Sequence, residues 1–366
     1  MKVVLVAGGS GGHLVPALAL ADDLRSGSDQ CWMISTRRPV DELMSSDPEA
    51  EGIWSSVDLK RFTPLWRWLN PLFVSGQVRS MGEIGKILRQ IRPDVVVGFG
   101  GYLTVAAVVS ARARGIPTVI HEQNVLPGRA NRWLARWSDA VAVSFPQTLT
   151  HLPRNARSRL TGNPIRARPE EWTREKGCAL FGFDPARPVV LVMGGSQGSQ
   201  AVNRLILEVW EGISDEERAA LQVLHLTGPA GFEEVRSRYP DLKMTARVIP
   251  FLKEMPAALS AATLAVSRAG ATAICEMTAF GVPALLIPYP HAGAHQMENA
   301  RWMSSVGGAV VLEEKRTGPE ALWKGLRELL ADEGRRGRMR QSLQAHADGS
   351  AASRLGAFVR EVAARR

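Results

Sequence analysis

A histidine that follows a glycine-rich turn and a glutamate in a helix that follows Gly270 stand where polar side chains commonly meet ligands. His13 follows the turn at 7–12, and Glu276 lies about a turn and a half into a helix predicted to begin after Gly270. A helix that begins directly after a strand presents unpaired N–H groups and partial positive charge, which favour a diphosphate. A carboxylate nearby can accept both hydroxyls of a ribose diol. These residues indicate a nucleotide pocket, although an ordinary αβ unit with a surface glutamate would show the same pattern.

The stretch at 263–288, TLAVSRAGATAICEMTAFGVPALLIP, predicts the elements that would position Glu276. A short apolar strand at 264–267 ends in polar residues, and Gly270 separates it from good helix formers at 271–280. Gly281 and Pro283 then stop the helix before a second strand. The stretch is therefore predicted to be one strand–turn–helix–turn–strand unit.

The turn before His13 occurs twice in the chain. VVLVAGGSGG at 3–12 and VVLVMGGSQG at 189–198 match at eight of ten positions, 186 residues apart. Chance similarity of two glycine-rich strand ends is the alternative, but two αβ domains in tandem explain the spacing more simply. The predicted fold is α/β, with a first domain at 1–163, an Arg-, Glu- and Pro-rich linker at 164–187, and a second domain at 188–345. A C-terminal helix at 346–366 is expected to cross back onto the first domain.

Four polar residues, HEQN at 121–124, end a predicted strand of the first domain. Ligands of open α/β sheets bind beyond the carboxyl ends of the strands, so His121, Glu122, Gln123 and Asn124 are predicted site residues. Glu122 could instead hold the loop that follows. In the second domain, His291, His295, Gln296 and Asn299 could reach a sugar. Two histidines four residues apart also suggest zinc, but no third ligand is spaced nearby.

Composition narrows the class of protein. The chain has 366 residues, of which 45% are hydrophobic and 22% charged, as in a globular protein. No apolar run approaches the ~18 residues of a membrane span. Three widely spaced cysteines show no metal-ligand spacing and predict a reduced, cytosolic protein. The net charge of +9 implies an anionic partner, which could be nucleic acid, a phosphorylated substrate or an acidic membrane.

Seven motifs in order along residues 3–300 resemble those of the MurG glycosyltransferases: VAGGSGGH, GFGGY, HEQN, GNPIR, GGSQG, SRAGATAICE and HQxxNA. These are bacterial undecaprenyldiphospho-muramoylpentapeptide β-N-acetylglucosaminyltransferases of peptidoglycan synthesis. The resemblance implies a GT-B fold, with two Rossmann-like domains facing across a cleft, and transfer of GlcNAc from UDP-GlcNAc to lipid I, giving lipid II and UDP. It also implies a peripheral protein on the cytoplasmic side of the inner membrane.

The resemblance assigns site residues by motif. Ser10, Gly11 and Gly12 would lie at the donor sugar and acceptor, Asn124 at GlcNAc, Arg166 and Ser196 near the diphosphate, and Leu252 near uracil. Phosphate and ribose would lie among Ala271, Thr272, Ala273, Ile274, Cys275 and Glu276, with Gln296 at the sugar hydroxyls. Gly293 and Ala294 stand where the family usually has an acidic residue, and Leu103-Thr104-Val105-Ala106 replaces the usual Ser and Pro after GGY.

An α-linked donor and a β-linked product require one inverting displacement, in which a base deprotonates the 4-hydroxyl of the acceptor. His13 suits that role, because an imidazole titrates near neutrality and the residue is predicted at the site. It could instead orient the glycine turn or bind the acceptor diphosphate. A helix N-terminus and Arg166 would meet the charge on the leaving UDP. Because the chain has no Asp-x-Asp motif, we expect no catalytic metal and no cofactor.

Residues 60–92 combine apolar and basic side chains in a way that suits a membrane surface. Seven Lys or Arg residues accompany one acid, Glu83, and two prolines prevent one regular helix from burying all the apolar groups. Aromatic residues flanked by arginine favour the headgroup region of anionic lipid. The alternative is a loop that covers the domain's own core. The apolar residues are Phe62, Leu65, Trp66, Trp68, Leu69, Leu72 and Phe73.

Three other functions stay open at this point. A related GT-B enzyme acting on another lipid or a small aglycone would share the donor half. A nicotinamide-dependent oxidoreductase needs a GxGxxG turn, whose spacing residues 9–12 do not provide. A basic RNA-binding module is disfavoured, because no aromatic-rich sheet motif accompanies the charge. We therefore expect no nucleic acid partner.

Overall fold

The computed structural model describes residues 1–9, 11–36, 54–57, 71–166, 168–290 and 295–365, with side chains for all of these except 54–57 and 71–80. They form two compact units. The first comprises Met1–Arg166 with Ser350–Arg366, and the second comprises Ala167–Gly349.

The first unit contains a parallel sheet of seven strands in the order β3-β2-β1-β4-β5-β6-β7. Residues 3–6 and 95–97 are completely buried, as expected of parallel strands that carry helices on both faces. The elements described in this unit are β1 (Lys2–Val6), α1 (Gly11–Ser26), β2 (Gln30–Thr36), β3 (Trp54–Val57), α2 (Pro71–Ile91), β4 (Val95–Gly98), α3 (Gly101–Arg112), β5 (Thr118–Glu122), α4 (Arg129–Leu134), β6 (Ala140–Val143) and β7 (Ser158–Leu160).

The second unit contains a parallel sheet of six strands in the order β10-β9-β8-β11-β12-β13. Its described elements are α5 (Arg174–Phe181), β8 (Val189–Met193), α6 (Gln200–Gly212), α7 (Asp215–Ala219), β9 (Gln222–Leu226), α8 (Phe232–Arg238), β10 (Thr245–Ile249), α9 (Met255–Ala261), β11 (Leu264–Ser267), α10 (Ala271–Phe280), β12 (Ala284–Leu286), α11 (His295–Ser305), β13 (Ala309–Val311), α12 (Pro319–Ala331) and α13 (Glu333–Ala345).

The two sheets share one topology, which confirms the prediction of two similar αβ domains. In each sheet the first strand, β1 or β8, lies in the interior, with the second strand on one side and the fourth on the other. Successive strands are therefore added first on one side of β1 or β8 and then on the other. The position where the order of strands reverses is the switch point, at which ligands of such sheets bind. The repeated glycine-rich turn follows these two strands.

The C-terminal helix α14 (Ala351–Ala363) belongs to the first unit, as expected of a helix that crosses back. It packs on α1 and against β4, β5 and β6, with Leu355, Phe358 and Val359 buried. Arg360 Nε lies 2.9 Å from Asp29 Oδ2, and Arg157 Nη2 lies 2.6 Å from Glu361 Oε1. Apolar burial and ion pairs thus join the C-terminal helix to the rest of the first unit.

The segment at 164–187, for which we predict a linker, instead divides at the boundary of the two units, and most of it belongs to the second. Cys178 and Phe181, one helical turn apart on α5, are buried in that unit's core. A Cβ at Gly177 would lie only 2.6 Å from the carbonyl oxygen of Ala257 on α9, so the glycine permits close helix packing. The charged residues of α5 itself, Arg174, Glu175 and Lys176, lie at its partly or fully exposed positions, so a charged composition does not exclude a packed helix.

Candidate functional site

The imidazole of His13 lies in the first turn of α1, at the switch point of the first sheet. A Cβ on Gly100, the residue before α3, would lie 3.2 Å from His13 Nε2, and one on Gly101 would lie 3.8 Å from Cε1. Gly100 has φ +98°, which L residues rarely adopt. The GGSGG and GFGGY turns therefore meet at this histidine, as adjacent strands β1 and β4 require.

The tautomer of His13 follows from its contact with the preceding turn. Its Nδ1 lies 3.3 Å from the carbonyl oxygen of Gly8. A carbonyl oxygen can only accept, so Nδ1 carries the proton and donates it. In the neutral imidazole the lone pair is then on Nε2, the nitrogen beside Gly100. The structure describes Gly11 and Gly12 at the start of α1, whereas Ser10 lies outside the described residues.

Glu122 organises the loop between β5 and α4. The carboxylate is 1% exposed and accepts four hydrogen bonds. Oε1 accepts from the backbone N–H and side-chain amide of Asn124 at 2.9 and 3.0 Å. Oε2 accepts from Gly128 N at 2.9 Å and from Asn131 Nδ2 at 2.8 Å. The alternative that Glu122 holds the following loop is therefore confirmed. One buried carboxylate fixes the conformation of that loop.

His121 and Gln123 are scaffold as well. The His121 ring is fully buried, and burial lowers its pKa to about 4, so it is neutral. Nε2 donates to the Gly162 carbonyl at 3.0 Å, and Nδ1 accepts from Gln123 Nε2 at 3.0 Å. Of the four HEQN side chains, only Asn124 is even partly exposed. Our prediction that all four are site residues was wrong for His121, Glu122 and Gln123, because polar groups at a strand end also satisfy the backbone there.

Arg166, expected near a diphosphate, lies at the end of the first unit and is half-buried. Its Nε donates to Asp22 Oδ2 of α1 at 3.0 Å. Nearby in the sequence, Asn163 is only 5% exposed, and neither polar atom of its side-chain amide has a hydrogen-bond partner among the residues that the structure describes. A buried amide of this kind is normally satisfied by water or a ligand. Sequence reasoning used the GNPIR motif only as a family signature and did not single out Asn163.

The second switch point has its own pair of turns, after β8 and β11. The 194–198 turn is tight: Gly195 and Gly198 have φ of +89° and +74°. A Cβ on Gly198 would lie 2.1 Å from the carbonyl oxygen of Thr227, so only glycine fits there. Ser196, half-buried, lies at the centre of this turn. Loop and sheet together place Ser196 beyond the carboxyl end of β8.

Helix α10 begins directly after the β11 turn, as predicted, with Gly270 as its N-cap. A glycine has no side chain to cap the first N–H groups, which is the arrangement that suits an anion. Along this helix Ala271, Thr272 and Ile274 are buried, whereas Ala273, Cys275 and Glu276 are partly exposed. In the first half of α10, the last three are therefore the side chains that a ligand can reach.

The carboxylate of Glu276 is partly buried, and burial raises its pKa to about 7. Among the residues that the structure describes, no donor or cation contacts it. A buried carboxyl group without a partner is costly, and two hydroxyl donors would satisfy it. This is the chemistry that the sequence predicts for a ribose diol.

Gln296, in the first turn of α11, connects the turn after β11 to the turn after β12 in the second unit. Its Oε1 accepts from Ala269 N at 3.2 Å and from Tyr289 N at 3.0 Å, so the side-chain amide group remains to donate. Asn299 is fully buried and donates to the Ala269 carbonyl at 3.0 Å, which excludes it from contact with a sugar. Residues 291–294, with His291, Gly293 and Ala294, lie outside the described residues. Leu252, expected near uracil, is partly buried against the core of the second unit.

Arg268 is a functional candidate that sequence reasoning missed. It is 5% exposed at the carboxyl end of β11. Its Nε donates to Ser199 Oγ at 3.1 Å, Nη1 donates to the Ile287 carbonyl at 2.9 Å, and the guanidinium forms an ion pair with Glu314. An arginine that directly follows a short, mostly apolar strand was the available signal, because a charged side chain next to a buried strand needs partners.

Two Rossmann-like domains, each with a glycine turn at its switch point, are the architecture of the GT-B fold, and the family matches of the two domains make this chain a glycosyltransferase of that fold. Residues 3–143 match the glycosyltransferase family 28 N-terminal domain, and residues 189–355 match the family 28 C-terminal domain. A solved structure of Acinetobacter baumannii MurG superposes with a TM-score of 0.73 at 26% identity, covering 99% of this chain and 100% of that one.

Curated relatives identify the particular family. One from Halothermothrix orenii is 36% identical, covering 93% of this chain and 94% of the relative. One from Syntrophotalea carbinolica is 37% identical, covering 90% of each. Both are named UDP-N-acetylglucosamine–N-acetylmuramyl-(pentapeptide) pyrophosphoryl-undecaprenol N-acetylglucosamine transferase. This chain belongs to that family, the MurG glycosyltransferases, and the resemblance noted in its motifs is confirmed.

Proposed function

We propose that this enzyme transfers GlcNAc with inversion from UDP-GlcNAc to the 4-hydroxyl of MurNAc in lipid I, giving lipid II and UDP for peptidoglycan synthesis. Membership of the family supports the reaction. The observation that carries the donor site is Glu276, a partly buried carboxylate without a partner among the described residues, on a helix whose N-terminus lies at a switch point.

The second unit binds the donor in this proposal. The N-terminal turn of α10 and Ser196 receive the diphosphate, and Glu276 accepts the hydroxyls of ribose. Because Gln296 Oε1 already accepts from two backbone N–H groups, its amide nitrogen is the group that donates to the sugar. Leu252 offers an apolar contact for uracil. These roles use one anion-binding helix terminus, one acceptor and one donor, which together match the polarity of a nucleotide sugar.

The first unit binds the acceptor and supplies the base. The lone pair on His13 Nε2 takes the proton of the 4-hydroxyl as that oxygen bonds to C1 of GlcNAc and the bond from C1 to the UDP oxygen breaks. Gly11, Gly12 and Asn124 contact the sugars in this assignment, together with Ser10. The helix N-terminus of α10 and Arg166 stabilise the negative charge on the leaving diphosphate.

The acceptor carries an undecaprenyl chain, so we propose that the first unit docks on anionic lipid at the cytoplasmic face of the inner membrane. No helix in the described part of the chain is long and apolar enough to cross a membrane. The docking segment predicted at 60–92 is described only in part: Trp66 and Trp68 lie outside the described residues, and Phe73 lies on α2 without a described side chain. That prediction stays a prediction.

A surface around α4, here called the α4 patch, supports docking by the same unit. Trp133 and Trp137 are 45% and 53% exposed, with ring centroids 5.9 Å apart, and Leu149 is also exposed. Beside them a pocket of about 200 Å³ is lined by Arg132, Arg136, Thr150, His151, Leu152 and Pro153. Exposed tryptophans beside arginine-lined concavities suit the interface of an anionic membrane. Because α4 packs beside α3 and α3 beside α2, the patch continues the helical layer that contains α2.

The test of the proposed reaction is UDP release from UDP-GlcNAc with and without a lipid I analogue. We expect UDP to be released only with the analogue, together with a disaccharide product that is β-linked. If UDP is released equally fast with an unrelated lipid or a small aglycone, the enzyme has a different GT-B activity from the one proposed. Release without any acceptor would contradict the transfer reaction.

A further inference from the structure

A run of four buried polar side chains crosses the core of the second unit; we call Trp210, Tyr239, His225 and Asn203 the His225 network. Trp210 Nε1 lies 3.2 Å from Tyr239 Oη, and that hydroxyl lies 3.0 Å from His225 Nδ1. His225 Nε2 lies 3.1 Å from Asn203 Oδ1, and Asn203 Nδ2 donates to the carbonyl of Thr227 at 3.0 Å. All four network side chains are at most 6% exposed.

The hydrogen bonds of the His225 network can run in only one direction. Indole N–H can only donate, so Tyr239 Oη accepts from Trp210 and gives its own proton to His225 Nδ1. Asn203 uses its amide nitrogen on a carbonyl, so its Oδ1 must accept from His225 Nε2–H. Burial lowers the pKa of His225 to about 3, so the ring is neutral and this one tautomer is populated. Every network donor therefore has an acceptor, and the geometry of each member depends on the next.

The open end of the network holds a turn against the 194–198 loop. Thr227, whose carbonyl accepts from Asn203, lies directly at Gly198, because a Cβ on that glycine would come 2.1 Å from the Thr227 carbonyl oxygen. A Cβ on Gly228 would in turn come 2.5 Å from the Gln197 carbonyl oxygen. Two backbone segments thus touch without side chains between them, so a shift of one moves the other.

Arg268 holds the same end of the loop from a second direction. Arg268 Nε donates to the hydroxyl of Ser199, the N-cap residue of α6, and its Nη1 is fixed by the Ile287 carbonyl at the end of β12. Asn203 lies one helical turn after Ser199 on α6. The C-terminal end of the 194–198 loop is therefore positioned by two sets of buried polar groups, Asn203 acting through Thr227 and Arg268 acting through Ser199.

We propose that the His225 network is a positioning element of the donor site, which holds the 194–198 loop in the shape that receives the diphosphate of a nucleoside diphosphate. This inference rests on the proposed function, because it needs the loop to contact the donor. The four residues touch no substrate in this assignment; they act through Thr227 and Gly198. Their loss should therefore weaken donor binding without affecting binding of the acceptor.

Two variants of the full-length chain break the network at different distances from the loop. Asn203→Leu removes the direct hydrogen bond to Thr227 with a side chain of similar size. Tyr239→Phe keeps the ring but removes the hydroxyl that joins Trp210 to His225, two side chains from the loop. We expect the Kd for UDP, measured by calorimetry, to rise about tenfold in Asn203→Leu, equivalent to about 1.4 kcal/mol. A smaller rise of roughly threefold is expected in Tyr239→Phe, and KM for UDP-GlcNAc should rise in parallel while the acceptor KM is unchanged.

The matched control is Leu326→Ala on α12. Leu326 is fully buried in the same core cluster as Trp210 and Tyr239 but belongs to no hydrogen-bond network. The control should lower the melting temperature and leave the Kd for UDP within about twofold of wild type. An equal rise in the control and in Asn203→Leu, or an unchanged Kd in folded Tyr239→Phe, would overturn the positioning role. If wild type itself does not bind UDP, the proposed donor site is wrong, and this inference with it.

Discussion

Nδ1 of His13 lies 3.3 Å from the carbonyl oxygen of Gly8, and this contact leaves the lone pair of the imidazole on Nε2. If Nε2 takes the acceptor proton, His13→Ala should lower kcat by about 10²–10⁴, the usual contribution of a general base. Steady-state rates with both substrates varied separate the two roles that the sequence left open. An unchanged kcat with a raised acceptor KM would make His13 a binding residue.

The glycine beside that nitrogen gives an independent test of the same arrangement. A Cβ on Gly100 would lie 3.2 Å from His13 Nε2, and φ of +98° with ψ of 178° is a conformation that alanine rarely adopts. We expect Gly100→Ala to cost about 1–3 kcal/mol of stability and to lower kcat, measured by thermal unfolding and initial rates. Gly82→Ala on α2 is the control, since a Cβ there meets no described atom within 4 Å. Equal activity in the two variants would contradict the packing at Nε2.

Patterns of apolar residues predicted the strands well, because residues 3–6 and 189–193 are buried on both faces and leave few alternatives. The glycine turns were placed correctly for a related reason: a positive φ or a backbone contact requires glycine at fixed points. Side-chain roles were harder to predict. Glu122 and Asn124 are both polar residues at one strand end, yet only the structure distinguishes the buried acceptor of four hydrogen bonds from its partly exposed neighbour.

The His225 network shows the same limit. Its members lie at 203, 210, 225 and 239, a spacing that matches no local period, because two of them are on α6 and the others come from β9 and a later turn. Sequence periodicity reports which side chains share a face of one element. It carries no information about which elements bring their polar side chains together, so tertiary structure was needed to find the network.

The raised pKa of Glu276, about 7, predicts a pH-dependent stability that Glu276→Gln should remove. Below the unfolded pKa of about 4.5, both states of the wild type are protonated and burial costs nothing extra. As pH rises from 4.5 to 7, the unfolded chain releases the proton while the folded chain keeps it, so stability falls; above 7 the loss is complete. Glutamine stays neutral at every pH. The melting temperature of Glu276→Gln should therefore be higher than that of wild type at pH 8 and equal to it at pH 4.

Donor binding should change in the opposite sense, because the ionised carboxylate is the better acceptor for ribose hydroxyls. Glu276→Ala should raise KM for UDP-GlcNAc by an amount equivalent to roughly 1.5–3 kcal/mol, the value of a charge-assisted hydrogen bond. Wild-type affinity for UDP should increase between pH 6 and 8, and that increase should be absent in Glu276→Gln. Unchanged donor affinity in both variants would remove Glu276 from the site.

Glu122→Gln should destabilise the first unit by about 1–3 kcal/mol, because one carbonyl oxygen cannot replace two carboxylate oxygens that accept four hydrogen bonds. Its amide group would face N–H donors of the loop. Denaturant unfolding measures the loss, with Glu320→Gln, an exposed site at the start of α12, as the control. If the two variants are equally stable, the loop does not depend on the carboxylate.

Membrane docking by the first unit can be tested by separating its two aromatic surfaces. Trp66, Trp68 and Phe73 changed together to Ser test the 60–92 segment, and Trp133→Ser with Trp137→Ser tests the α4 patch. Because each surface offers tryptophan and basic groups, and each basic group near anionic lipid contributes ~1 kcal/mol, we expect both sets to reduce sedimentation with anionic vesicles. KM for membrane-embedded acceptor should rise, while KM for a short-chain soluble acceptor should stay nearly unchanged.

Leu180→Ser is the matched control for these variants, because Leu180 is 58% exposed but lies on α5 of the second unit. It should sediment like wild type. If only the 60–92 variant loses vesicle binding, the exposed tryptophans of the α4 patch have another partner, and the docking surface is confined to that segment. If only the α4 variant loses vesicle binding, the aromatic residues at 66, 68 and 73 are better explained as part of the domain core. Their replacement should then lower the melting temperature instead. Wild-type binding that does not depend on the anionic lipid fraction would contradict the electrostatic part of the proposal, since arginine-lined surfaces act through lipid charge.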